Sequence, residues 1–471
     1  MRTSRFAILV ILIVVILAFL YQLNDYRAYQ NQIPQGVSLA SIPMGRKWEE
    51  EALRLLGEAF SKPVKLNYLN ESLQLHPQDV GFQLKADEML EEVNRLKAET
   101  SFWQGFFDFV LRKPGPSVDV PLQAQYSEDD LRKLLSEVAA NYDQPLQDPQ
   151  PVLENLSFSP GQEKRRLDME ASLPKVIEAL TSAEKREVDL VVDTLEPPEP
   201  DIELLGTLLE KRLADFPVMG GIFIKDLKSG ETLAIDADVA FAGMSIIKIA
   251  IVEESYRYLD APPDAETTKL ISETMTSAGN YTSNLLLSLI GDGDPYRGAE
   301  RLTASLRYLG LENTFMATPY DAETPPPKIV TPANSRQDKD TQPDPYVQTT
   351  PKDAGRMMEM IYQCANGGGT LIAAYPEDYT PKECQEMLSI METNHIGTLL
   401  ETGLPEGTRF AHKHGWIDDT HGDVGIVFSG ESDYVISVFL HRPGWLESDL
   451  SHSLMADISK ATYNYFDLTT G

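Results

Sequence analysis

The chain has 471 residues, enough at roughly 100–200 residues per domain for two or three domains with full cores. Its 41 Lys and Arg against 72 Asp and Glu leave a formal net charge of -31, which repels phosphate backbones and removes the counterion-release drive for binding them. Nucleic acid is therefore not an expected partner.

The N-terminal stretch MRTSRFAILVILIVVILAFLYQLNDY places Arg2 and Arg5 ahead of an uninterrupted apolar run from Phe6 to Tyr21. At about 1.5 Å per residue this run falls slightly short of a roughly 30 Å hydrocarbon core, so flanking residues must help it span. A cleaved signal peptide and a retained anchor compete as readings. The flank AFLYQLND offers no small-x-small cleavage site and no cysteine for lipid attachment, which favours a retained single-pass anchor over residues 1–23. The two arginines predict a cytoplasmic N-terminus, with everything after the span outside the cell membrane.

Beyond the anchor, PVKLNYLNESLQLHPQDVGFQLKA alternates apolar and polar residues across an Asn-Glu turn, as a hairpin does. KADEMLEEVNRLKAE and SEDDLRKLLSEVAANY carry helical spacing with acidic starts. Together these predict a small α+β module. LHPQDVGFQLKADEML, VPLQAQYSEDDLRKLLSEVA and FSPGQEKRRLDMEASLPKVIEAL resemble the peptidoglycan-binding domains that precede some L,D-transpeptidases. The resemblance covers residues 34–197 and implies peptidoglycan as a partner. Its matching positions are structural glycines, prolines and apolar residues, so a spacer lifting the next domain off the membrane stays open beside a binding module.

DTLEPPEPDIE then turns to proline and acid, the composition of an extended, self-repelling linker, and sets a domain boundary near Leu195 to Asp201. Over 201–471 the expected order is an amphipathic helix (IELLGTLLEKRLADF), a hairpin turning at Ser229-Gly230, a buried helix (SIIKIAIVEESYRYL) and a further helix (NYTSNLLLSLIG). Three strands (TRFAHKHGWI, GDVGIVFS, YVISVFLH) come next, and a final helix begins near Ser451. This order predicts an α+β fold, an antiparallel sheet with helices on both sides.

Within the buried helix, Ser245 and Lys248 stand three apart and share a face. A serine hydroxyl is a weak nucleophile at neutral pH and needs a base, which a desolvated lysine supplies. The same spacing recurs at Ser172 with Lys175 and at Ser182 with Lys185, but only FAGMSIIKIAI provides apolar surroundings.

The order of motifs resembles class A β-lactamases and related penicillin-recognising serine hydrolases. Ser245-Ile246-Ile247-Lys248 matches the first motif, SAGNYTSNLLLSLIG the second and HKHGWIDDTHGDVGIVF the third, and QTTPKDAGRMMEMI matches the segment after the omega loop. The resemblance implies a β-lactamase/transpeptidase-like domain with Ser245 as acylated nucleophile, Lys248 as proton acceptor and Asn280 as contact to acyl group and Lys248. It implies that Lys413 attracts a substrate carboxylate, that His414 takes the place of a threonine or serine, and that Gly415 leaves room for substrate. The N–H groups of Ser245 and Trp416 would form the oxyanion hole.

Three departures stand against this pattern. Ala278 and Gly279 replace the first residues of the second motif, where a serine normally shuttles a proton, and neither Ser277 nor Tyr281 is in register. No deacylating glutamate is recognisable in LENTFMATPYDAETPPPKIVTP, where Asp321 and Glu323 read as solvated loop residues. The interval from Ser245 to Asn280 is short, which opens the cleft. The expected activity is thus acylation by a β-lactam or a peptidoglycan-type amide with weak deacylation; the alternative is an inactive envelope-binding protein that keeps the scaffold.

No cofactor is called for. His412, His414 and His421 cluster around Lys413, but the intervening ammonium disfavours a cation and no carboxylate completes a zinc spacing, so no metal is expected. The two cysteines, Cys364 and Cys384, either pair in an oxidising compartment or stay as separate buried thiols.

Overall fold

The computed structural model describes residues 2–470 except Pro116, Asp260, Ala261, Ala278 and Glu431. The chain divides into two compact units, Met1–Gln147 with Gln162–Pro197, and Asp148–Gly161 with Pro198–Gly471. The segment Asp148–Gly161, expected within the 34–197 domain, groups instead with the second unit. Its hairpin, Gln150–Val152 against Ser157–Ser159, buries Phe158 in that unit's core, 5.8 Å from the ring of Tyr465.

The first unit starts with the helix Arg2–Tyr29, in which Phe6–Tyr29 is long and apolar enough to cross a membrane. Its sheet pairs Val64–Tyr68 in parallel with Glu187–Asp189 and antiparallel with Glu71–Leu75. The expected hairpin is present and turns through Leu69, whose φ is 51°. Alternation turns Val64, Leu66 and Tyr68 inward, where Leu131 and Leu135 of Glu128–Tyr142 and Leu173 and Val176 of Met169–Thr181 complete one core. Each such side chain contributes roughly 1.5–3 kcal/mol by leaving water. Ser127 and Asp168 cap these helices by accepting from Asp130 N and Ala171 N. The linker is shorter than its composition suggested, because Val192–Leu195 pairs as a strand with Lys164–Leu167.

The second unit is built on a five-stranded antiparallel sheet in the order Thr232–Ile235, Met219–Asp226, Tyr434–His441, Thr420–Phe428, Arg409–Trp416. Tyr434–His441 is buried along its whole length, because both faces of the sheet are covered. On one face lie Ile202–Ala214 and Ser448–Thr470; on the other lie Lys248–Arg257, Asn280–Ile290 and Pro351–Ala365. Helices therefore cover both sides, as expected. Cys364 and Cys384 are joined by a disulfide that ties Pro351–Ala365 to Pro381–Glu392. Arg409–Trp416 is an edge strand, paired within the sheet on one side only.

Candidate functional site

The strand Phe241–Ala242 ends at Gly243, and the chain turns through Met244 with φ at 50° before the helix begins at Lys248. A left-handed conformation costs a non-glycine residue about 1–3 kcal/mol and persists only where its surroundings enforce it. Ser245, expected on the helix, lies instead in the preceding turn, held by Ile246 N donating to Gly243 O and Lys248 N to Ser245 O. Ser245 is the one residue of 241–250 that is partly exposed rather than buried. It caps no helix: the cap position is Ile247, with no side-chain bond.

Lys248 is fully buried, with Nζ 3.0 Å from Ser245 Oγ and 3.0 Å from Asn280 Oδ1. Burial, reinforced by the charge of Lys413 and opposed by Asp321, lowers its pKa to about 7. The same desolvation lowers Lys413 to about 8, against the pull of Asp423. Near neutral pH the site therefore holds an amine close to half protonated beside a second, mostly charged one.

Asn280 opens its helix, yet the cap is Gly279 and the Asn280 amide turns to Lys248. Ala278 lies outside the described residues. Ser277 closes the preceding helix as an exposed residue and Tyr281 is 75% exposed.

The edge strand supplies the opposite wall. Ile417 N donates to Thr420 O across the sheet, so the N–H of Trp416, one residue earlier, points to the open edge where Ser245 stands. Gly415, expected to leave room for substrate beside the strand, stands against the backbone of the turn that carries Ser245. A β-carbon there would lie 2.8 Å from Ser245 N, so the glycine allows the strand to abut the turn.

The three histidines do not converge on an ion. His412 bonds Asp423 Oδ1 through Nδ1 at 2.8 Å and Asn394 O through Nε2 at 2.6 Å; with acceptors on both nitrogens it is held as an imidazolium, and its pKa is raised despite burial. His414 stacks on Trp416 with ring centroids 4.8 Å apart, and burial and the nearby cations lower its pKa to about 4. His421 pairs with Ser451 Oγ at 2.6 Å. Among the described residues no group of His, Cys, Asp and Glu is placed to hold a metal ion.

The other two serine–lysine pairs are structural. Ser172 Oγ accepts from Val191 N, and Ser182 Oγ accepts from Lys185 N.

Sequence reasoning missed Tyr320. Asn284 brackets its peptide, donating to Tyr320 O and accepting from Tyr320 N, both at 2.9 Å. The Tyr320 ring then lies 4.7 Å from Lys248 Nζ, and its hydroxyl donates to Met244 O at 2.8 Å. Asn284 is one turn beyond Asn280 on the same helix face, a spacing that was legible; Tyr320 sits in a loop without a motif. Asp321 and Glu323 beside it are not buried.

Residues 256–466 match the family model of the β-lactamase enzyme family, a span that begins after Lys248. Solved structures to which the chain is similar include an acyl-enzyme complex of a PBP-A mutant with penicillin G, at 22% identity over 58% of this chain and 99% of that chain with a TM-score of 0.44. A β-lactamase from Sphaerobacter thermophilus is similar at 18% identity, covering 56% and 96% with a TM-score of 0.42. The TLA-3 extended-spectrum β-lactamase is similar at 17% identity, covering 56% and 99% with a TM-score of 0.44. No curated protein matches the chain. The second unit thus carries a β-lactamase/transpeptidase-like fold.

Proposed function

We propose that this is a serine acyl hydrolase anchored in the cell membrane and acting outside it on β-lactams or peptidoglycan-type amides that bear a carboxylate. The observation that carries the reading is the 3.0 Å approach of a buried, near-neutral amine, Lys248, to the hydroxyl of Ser245, the one partly exposed residue in its apolar run.

In this reading neutral Lys248 takes the Ser245 proton as Oγ attacks the carbonyl carbon. The carbonyl oxygen becomes an oxyanion between the N–H groups of Ser245 and Trp416. The C–N bond then breaks, the leaving nitrogen takes the proton, and an ester on Ser245 remains for water to cleave. Asn280 holds the amine and meets the acyl side chain. Lys413 draws the substrate carboxylate, and neutral His414 offers it a ring N–H where a hydroxyl was expected. With Tyr320 over Lys248 and no carboxylate in its place, the ester persists.

Packing of Phe19 on Phe106, with ring centroids 5.3 Å apart, supports a retained N-terminal helix, since cleavage near Tyr21 would remove Phe19 and uncover that side of Phe106. The first unit is then a peptidoglycan-binding or spacing module at the outer membrane face.

The test is intact-mass measurement after incubation with penicillin. Wild type should gain one penicillin per chain and retain it, whereas Ser245→Ala should gain none. No adduct on wild type with either penicillin or a fluorophosphonate would leave the inactive, envelope-binding reading instead.

A further inference from the structure

The helix Phe102–Val110, FWQGFFDFV, presents three distinct faces. Phe102, Phe106 and Phe109 pack on the N-terminal helix, with ring centroids 5.3 Å from Tyr26, 5.3 Å from Phe19 and 5.0 Å from Tyr29 respectively. A β-carbon at Gly105 would meet the Tyr26 hydroxyl at 2.1 Å, so glycine is what lets the helices close. Gln104 and Asp108 form a polar face, with Asp108 paired to Lys113 at 2.7 Å. The third face is apolar and uncovered: Trp103 and Phe107 are each 56% exposed, Val110 41% and Leu111 65%. Positions i, i+4, i+7 and i+8 make one continuous stripe rather than scattered surface residues.

We infer that this stripe lies in the interfacial layer of the bilayer, beside the point where the N-terminal helix leaves it. The inference rests on reading that helix as an anchor. Phe19, which touches Phe106, belongs to the apolar run itself, so the stripe stands level with the last turns of the span. That run, from Phe6 to Tyr21, covers about 24 Å against a roughly 30 Å hydrocarbon core. The apolar layer therefore extends past the run, to the level where Trp103 and Phe107 stand. A tryptophan with Arg112 and Lys113 beyond it is the composition of an interfacial segment, rings among the headgroups and cations toward water. The consequence is a second attachment for the first unit, which fixes its orientation at the membrane.

The test uses the full-length protein in vesicles of phosphatidylethanolamine and phosphatidylglycerol doped with doxyl-labelled phosphatidylcholine. An environment-sensitive fluorophore is attached to Phe107→Cys, Gln104→Cys or Ile13→Cys; the native cysteines are bonded to each other and do not compete. The probe at position 107 should shift to the blue and lose most of its emission to a shallow doxyl group, while that at 104 stays water-like and that at 13 is quenched by a deep one. Quenching at 13 with identical, water-like behaviour at 107 and 104 overturns the interfacial stripe alone. Absence of quenching at 13 overturns the anchor, and the stripe with it. A blue shift at 107 that no doxyl lipid quenches but that brings energy transfer between labelled chains means a second copy covers the stripe, and the inference fails.

Discussion

Gly415 and Ser245 come from segments that are far apart in sequence, yet a β-carbon on the first would lie 2.8 Å from the backbone nitrogen of the second. This contact sets the separation between the edge strand and the turn that carries Ser245, and so, in the proposed reading, the position of the Ser245 and Trp416 N–H groups that would form the oxyanion hole. Gly415→Ala should push the turn outward and lower the rate of Ser245 acylation about 10²-fold, the scale of a 1 Å misplacement. The thermal midpoint should move little. Stopped-flow labelling with a fluorescent penicillin, alongside a melt, measures both.

Lys248 must be neutral to accept a proton, and its pKa is lowered to about 7. Acylation should therefore rise with pH through about 7. Lys413 must be charged to attract a carboxylate, and its pKa is about 8, so the rate should fall again above that value. Removing a cation makes protonation of its neighbour easier: Lys413→Met should move the acid limb to higher pH. Asp321→Asn removes the opposing charge and should move it lower. A pH profile of acylation rate for the three proteins checks the sign of each displacement.

The Tyr320 side chain covers Lys248 from a peptide that Asn284 clamps on both sides, so a residue placed there keeps its aim. Tyr320→Glu should bring a carboxylate over the amine and the ester, where it can orient and deprotonate water. A general base contributes about 10²–10⁴-fold, and the lifetime of the penicillin adduct should shorten by at least the lower figure. Time-resolved intact mass tracks the decay; an unchanged lifetime would mean that the loop does not direct water to the ester.

The disulfide Cys364–Cys384, with a sequence separation of 20, joins two helices behind the sheet. Replacing both cysteines by alanine should lower unfolding stability by about 3 kcal/mol in denaturant titrations while leaving penicillin labelling intact.

The order of elements in the second unit was legible because buried strands and amphipathic helices write their own periods, and the hairpin through Ser229-Gly230 stands where its turn residues put it. The first unit was legible in part. Alternation marked Val64–Tyr68, while Val192–Leu195 looked like linker because a two-stranded edge needs little hydrophobicity. The hairpin 150–159 looked like part of the first unit because nothing local records which core receives Phe158.

By itself the sequence singled out a candidate nucleophile and base, since of the three serine–lysine pairs three residues apart only Ser245 and Lys248 stand in an apolar run. It also determined the apolar N-terminal helix, because composition over a single segment suffices for that. Only the tertiary structure decided that Tyr320 covers Lys248, that Gly415 abuts Ser245 and that His412 is an imidazolium held by Asp423. These pairings join segments with no common period, and their energies come from burial and distance, quantities that exist only once the chain is packed.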